Sequence, residues 1–150
     1  MVSVLITPVS ATWRGAARVM LNALWIFVGG GLGTLARWGV SDAVARQWGE
    51  TFPVGTLVIN VSGSFIIGLF AALTGPESRW MAPAAFRQFF MLGICGGYTT
   101  FSSFSLQTLN LAQEGQWFRA GANVVLSTTL CLVGVWLGHV LGALVNSAAR

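Results

Sequence analysis

Eight arginines and four acidic residues are the only fully charged side chains in this 150-residue chain, and they leave four uncharged stretches, 19–36, 51–76, 88–113 and 120–149. A helix that crosses a bilayer needs about 20 consecutive apolar residues. Each stretch, at 18, 26, 26 and 30 residues, holds one such helix. Hydrophobic residues make up 55 % of the chain and charged ones 8 %, a balance foreign to soluble domains. The expected fold is an all-α integral membrane protein with four transmembrane helices, at about 21–42, 52–75, 85–112 and 118–146. These use nearly all of residues 20–150 and leave no room for a soluble catalytic domain. Residues 1–19 stand apart as an N-terminal extension, either a short interfacial segment or the product of a start assigned upstream of Met20. No basic segment precedes their apolar run, so a secretory signal is not indicated.

The arginines are scattered singly at the junctions between stretches, with Trp38, Trp48, Trp80 and Trp117 beside them. That is the pattern of membrane anchors, in which long or amphipathic side chains keep one end wet. A nucleic-acid partner would call for basic charge gathered on one solvated face, so none is expected. Cys95 and Cys131 fall inside predicted spans without Cys/His spacing, which fits buried free thiols. With four spans, Arg14, Arg18, Arg79, Arg87 and Arg150 share one side and Arg37, Arg46 and Arg119 the other. Without the first nineteen residues the count is three to three. The positive-inside rule then has no preference to enforce, so the chain is expected to insert both ways up and to pair as an antiparallel homodimer. Gly29 and Gly33, Gly93 and Gly97, and Gly134, Gly138 and Gly142 recur at four-residue spacing, which lets membrane helices approach closely.

The third stretch carries Gly96-Gly97-Tyr98-Thr99-Thr100-Phe101-Ser102-Ser103-Phe104-Ser105 at its centre, with six hydroxyl side chains. In hydrocarbon every polar group must find a partner inside the protein, so such a segment belongs against protein or beside a wet cavity. The glycine pair is expected to release the backbone from helical geometry at 96–99, breaking the third helix near the membrane centre. Carbonyls freed by such a break commonly face a cation, which makes Na⁺ a candidate structural ion. Phe101, Phe104 and Thr108 share a helix face beyond it. Aromatic edges are positive, so the two rings, with donors from Asn60, Ser103, Ser105 and Ser127, would suit a small anion that must bind and leave quickly. Each residue has a plainer reading as well. Asn60 serves equally as an interhelical hydrogen bond, the two Phe as packing, and the face formed by Asn123, Ser127 and Cys131 as a solute track or as helix glue. Arg37 stands either at the mouth of the pathway, raising local anion concentration, or as a snorkelling interface residue. No acidic residue falls inside a long uncharged stretch, and the lone His139 has no partner that would mark it as functional.

Three segments together resemble the Fluc or CrcB-type fluoride channels, over roughly residues 21–148: Gly30 to Arg37, Gly55 to Asn60 with Gly63, and above all Gly96 to Ser105 with its Thr-Thr-Phe-Ser-Ser-Phe core. The resemblance implies four helices in an antiparallel dual-topology dimer, with two pores each built from both subunits. It implies passive, fluoride-specific export across the cytoplasmic (inner) membrane of a prokaryote. Phe101 and Phe104 look like the pore phenylalanines, Asn60 like the pore asparagine, Ser127 like a fourth-helix pore hydroxyl and Arg37 like the vestibule arginine. Gly96 and Thr99 match positions whose backbone carbonyls hold a central Na⁺ at the dimer interface. Two positions depart: Cys131 replaces a frequent hydroxyl, and Gln107 stands where many members have Glu. The competing classes are a small proton-coupled multidrug exporter, which needs an acid inside a span, and a non-transport membrane scaffold. No nucleophile and base pair or metal-ligand cluster supports an enzyme.

Overall fold

The computed structural model describes residues 9–49, 51–76, 78 and 80–148, with the side chains of 9–12 and 14 excepted. Residues 1–8 of the N-terminal extension lie outside the described residues, as do the junction charges Glu50, Glu77, Arg79 and Arg150. The described residues are helical almost throughout and contain no strand. Helix α1 covers Val9–Trp48 and α2 covers Val54–Thr74. The third span consists of α3 (Ala84–Gln88), a π-helical stretch (Phe89–Cys95), α4 (Gly96–Tyr98) and α5 (Phe101–Gln113), and α6 covers Trp117–Ala148. Among the described residues three helices are long and apolar enough to cross a membrane on their own: Gly15–Trp48, Val54–Thr74 and Trp117–Ala148. The third span reaches comparable length only as the sum of its pieces.

The helix ends follow from local chemistry. Pro53 and Pro83 sit at the N-caps of α2 and α3, where a missing N–H costs no helical bond. The turn between α5 and α6 needs a left-handed residue and has Gly115 there, at φ 76°. It closes with the Gln116 N–H donated to the Leu111 carbonyl at 2.8 Å. Helix α1 is 40 residues long, or about 60 Å, roughly twice a bilayer's hydrocarbon thickness. It runs parallel to the third span, with Gly29 beside Phe89 and Gly33 beside Ile94. Its first turns therefore extend past the start of α3.

The helices associate as two parallel pairs. In one, α2 lies along α6 in the most extensive interface of the molecule. Gly134 meets Val61, Gly138 meets Phe65 and Gly142 meets Leu69, so backbones touch where a methyl group would collide. In the other, α1 packs on the π-helical stretch and α4. A Cβ on Gly93 would stand 3.0 Å from Gly29 Cα, and one on Gly97 would strike the Gly30 carbonyl. Without a hydrophobic force between helices in lipid, such close contact is what holds them. Rings fill the wider gaps: Phe70 stacks on Phe90 at 4.0 Å, and Trp25 meets Phe89 edge-on at 6.0 Å. Few side chains are fully buried, Ile59 and Asn123 being the largest, and the outward faces are dense in Leu, Val, Phe and Trp. That distribution is expected where the surrounding solvent is lipid.

The break in the third span falls just after the glycine pair. Gly96, Gly97 and Tyr98 remain helical, and the backbone leaves helical geometry at Thr99 (φ −81°, ψ 158°) and Thr100 (φ −152°, ψ 110°). Gly97 is occupied with the close approach to Gly30, so its value lies in lacking a side chain and its conformational freedom goes unused.

Candidate functional site

Asn60 makes the break. Its side-chain N–H donates to the Thr100 carbonyl at 3.0 Å, and its Oδ1 accepts the Thr100 N–H at 2.8 Å. The α2 amide thus replaces both hydrogen bonds that Thr100 would have made in a continuous helix, and one amide hydrogen remains. Thr100, itself 8 % exposed, caps α5: its Oγ1 accepts the Ser103 N–H at 3.2 Å and donates to Ser103 Oγ at 2.9 Å. Upstream, Thr99 Oγ1 donates to the Cys95 carbonyl at 2.9 Å, and the Tyr98 hydroxyl pairs with Ser62 Oγ at 2.9 Å. Gly63 makes room for Tyr98 and Thr99 against α2. The side-chain polar groups named here are therefore matched within the protein, as hydrocarbon requires.

The break takes the helical donor from four carbonyls, Gly96 to Thr99, of which Gly97 accepts instead from Thr34 Oγ1 at 3.4 Å. The N–H that would close a turn onto Gly96 belongs to Thr100 and goes to Asn60, and the one that would close onto Thr99 belongs to Ser103 and goes to the Thr100 hydroxyl. Gly96 is also exposed. Neutral oxygens of this kind fit a hard monovalent cation better than a transition metal. Among the described residues no group of three or more His, Cys, Asp or Glu could hold a metal ion.

Beside the break lies a cavity of about 410 Å³ that brings together Asn60, Phe101, Phe104 and Ser127, with Gly96 and Thr99 on its wall. The Phe101 and Phe104 rings are 5.3 Å apart and inclined at 49°. Phe101 is 79 % exposed, whereas Ser127 is buried. The remaining residues expected at this site are elsewhere. Ser103 serves the cap of α5, and Ser105 Oγ donates back to the Phe101 carbonyl at 2.9 Å on an exposed face. Thr108 lines neither this cavity nor its neighbour, and Oγ1 donates to the Phe104 carbonyl at 2.7 Å. Arg37 is half-buried on α1 and lines no cavity described here.

A second cavity, of about 500 Å³, opens at the end of the bundle that carries the α5–α6 turn. Thr56, Gln107 and Asn110 line its interior, and Glu114 and Arg119 lie on its wall. Arg119 is exposed and donates to Gln116 Oε1 at 2.8 Å. Gln107 Oε1 is buried without a hydrogen-bond partner and belongs to a residue on this wall. One turn of α2 separates Thr56 from Asn60 in the first cavity, and one turn of α5 separates Gln107 from Phe104. A hydrogen-bonded chain joins α5 and α6 beside the first cavity. Ser127 Oγ donates to Asn123 Oδ1 at 3.3 Å, and Asn123 Nδ2 donates to Thr108 Oγ1 at 2.8 Å. Asn123 is 1 % exposed, so this chain ties Ser127 on the first cavity to Thr108 on α5 inside the bundle. Its stripe on α6 was visible in the spacing of Asn123 and Ser127. The roles of Thr56 and Arg119 were not, because each depends on where the ends of α2 and α6 come to rest.

Residues 24–139 match the family model described as CrcB-like protein, Camphor Resistance (CrcB). The chain is 61 % identical over 126 residues to a fluoride-specific ion channel FluC of Rhodospirillum rubrum, covering 84 % of this chain and 98 % of that one. It is 60 % identical over 124 residues to the fluoride-specific ion channel FluC of Opitutus terrae, covering 83 % and 94 %. It is 46 % identical over 138 residues to fluoride-specific ion channel FluC 1 of Bradyrhizobium diazoefficiens, covering 92 % and 93 %.

Proposed function

The chain belongs to the CrcB-like family, and from that premise we propose that it is a fluoride-specific ion channel whose pathway runs through the cavity beside the break. The carrying observation is the convergence of Asn60, Phe101, Phe104 and Ser127 on one cavity in a multi-pass membrane protein. Fluoride sheds water on entering such a space. Positive ring edges and neutral donors offset that loss without a charged side chain that would trap the ion. Asn60 contributes its uncommitted amide hydrogen, and Ser127 can turn its hydroxyl from Asn123 toward a passing anion. The flux is passive export from the cytoplasm across the inner membrane of a prokaryote. A potential that is negative inside favours departure of an anion by about 2.3 kcal/mol per 100 mV. The exporter alternative requires a protonatable acid inside a span. Asp42 is instead partly exposed near the end of α1 and paired with Arg46 at 2.7 Å.

The working unit in this proposal is an antiparallel homodimer inserted in both orientations, with Na⁺ held at its interface by the Gly96 and Thr99 carbonyls of each copy. The balanced arginines, the exposed Phe101 and the undonated carbonyls support it. Na⁺ would supply fixed positive charge that holds the broken segments together. A reporter fused to the C-terminus should be active on both sides of the membrane, and activity on one side alone would sink the dual topology. For the channel itself the test is F⁻ efflux from liposomes read with a fluoride electrode. Efflux should be fast, should exclude Cl⁻, and should slow by about tenfold or more in Phe101→Ile and Phe104→Ile, a barrier change of about 1.4 kcal/mol. Equal Cl⁻ flux, or full efflux in the double variant, would refute it.

A further inference from the structure

The chain has six sulfur-bearing residues, two Cys and four Met, and three of them line the central cavity. Met91 and Cys95 come from the π-helical stretch and Cys131 from α6, so two separate helices bring sulfur to one space. Both cysteines are free. Met20 and Met81, by contrast, are exposed, at 72 % and 69 %. The cavity's lining contains no carboxylate, imidazole or ammonium group. Two thiols and a thioether in an otherwise mostly apolar chamber are poor ligands for Mg²⁺, Ca²⁺ or Mn²⁺ and good ones for soft cations with a filled d shell. The unbranched Met91 side chain is flexible enough to turn its thioether within the cavity.

We propose that the central cavity binds one soft monovalent cation, Ag⁺ or Cu⁺, through the sulfurs of Cys95, Cys131 and Met91, and that the bound ion closes the fluoride pathway. Each thiol that binds gives its proton to the surrounding buffer. One cation and two thiols thus yield a sulfur-bridged complex carrying a single negative charge and release two protons. Met91 adds a neutral third ligand. The complex obstructs the chamber shared by Phe101, Phe104 and Ser127, and its charge repels an approaching anion in a low-dielectric setting. The site itself requires only the cavity and its sulfurs, whereas the block rests on the channel function proposed above.

The test uses silver nitrate with the purified full-length protein in chloride-free buffer. Calorimetry should find one tightly bound Ag⁺ per chain with proton release, and X-ray absorption at the silver edge should find two or three sulfur neighbours. Cys131→Ser and Cys95→Ser should each weaken binding by roughly 100-fold, and Met91→Leu by about tenfold. In liposomes Ag⁺ should stop F⁻ efflux, and dithiothreitol should restore it. Silver surrounded by oxygen or nitrogen, or by one sulfur only, overturns the site in the unmodified protein, even if a variant fails to fold. Sulfur-bound silver without any F⁻ flux to inhibit leaves the site standing and counts against the channel. Block that is unchanged in Cys95→Ser/Cys131→Ser, relative to that variant's own efflux, overturns closure by this site.

Discussion

The two halves of the third span are built on different principles, although both are short helices in the same membrane. Up to Tyr98 the chain is held chiefly by its backbone pressed on α1 through Gly29, Gly93, Gly30 and Gly97, with hydrogen bonds to neighbouring helices, among the described residues, only from Arg87 to Thr74, from Thr34 to the Gly97 carbonyl and between Tyr98 and Ser62. From Thr100 onward it is held by hydrogen bonds: the Asn60 amide on the Thr100 backbone, the Thr100 hydroxyl on the Ser103 N–H, and Asn123 on Thr108. Steric contact tolerates no added atoms but is indifferent to polarity. Hydrogen-bonded anchoring tolerates modest changes of volume but not the loss of a donor. The seam between these regimes is the break, and the cavity opens on its polar side. Substitutions in the two halves should therefore fail by different routes.

The largest effect is expected from Gly97→Ala. The new methyl group meets the Gly30 carbonyl, which belongs to the backbone of another helix and cannot turn aside. Overpacking usually costs about 1–3 kcal/mol and occasionally more, and a clash with an immovable backbone carbonyl puts this site at or beyond the upper end. Folded protein should be nearly lost, as read by yield and monodispersity on gel filtration in detergent. Gly121→Ala is the matched control, since nothing lies within 4 Å of its added methyl, and it should be neutral or slightly stabilising. Equal behaviour of the two variants would remove the steric half of the comparison.

Asn60→Leu comes next. Similar in size, leucine can pair neither the Thr100 N–H nor its carbonyl, and both stand in a half-buried setting. Each unpaired group costs about 1–3 kcal/mol, so thermal stability should fall by about 2–4 kcal/mol, less than for Gly97→Ala. F⁻ efflux should fall more steeply than the amount of folded protein. Asn60→Asp keeps an acceptor for the Thr100 N–H but turns a charge toward its carbonyl. It should be intermediate in stability and close to inactive in flux. If Asn60→Leu lost flux only in proportion to folded protein, Asn60 would be a structural brace alone.

Much of this architecture was legible before any coordinates. Charge spacing shows where lipid must lie, because an unpaired charge in hydrocarbon is too costly to hide. The hydroxyl run marks the break for the same reason. What the chain does not display is which of two uses a residue serves. Gly97 has the same one-letter code whether it frees a backbone or admits a neighbour, and the choice depends on Gly30, 67 positions away in the chain. By sequence Asn60 fits both a pore lining and, more plainly, an interhelical hydrogen bond, and its geometry is compatible with both at once. Ser103 and Ser105 look equivalent to Ser127 by composition. Only Ser127 reaches the central cavity, because Ser103 joins the cap of α5 and Ser105 faces outward and bonds its own helix.

The smallest effects separate the hydroxyls of the polar half from one another. Thr100→Val keeps the shape and removes the cap, leaving the Ser103 N–H without its acceptor. Loss of a cap costs about 1 kcal/mol, to be read as a lower melting temperature. Because the cap fixes where α5 begins, and hence where Phe101 and Phe104 point, efflux should fall measurably with it. Ser105→Ala removes only an exposed bond to the Phe101 carbonyl. A hydroxyl returned to its own helix slightly destabilises that helix, so stability should stay within about 0.5 kcal/mol. If Ser105 plays no part in conduction, efflux will also be unchanged. A Ser105→Ala channel that folds normally yet loses most of its F⁻ flux would place that hydroxyl on the ion's path after all, with a rotamer that abandons the helix when the anion passes.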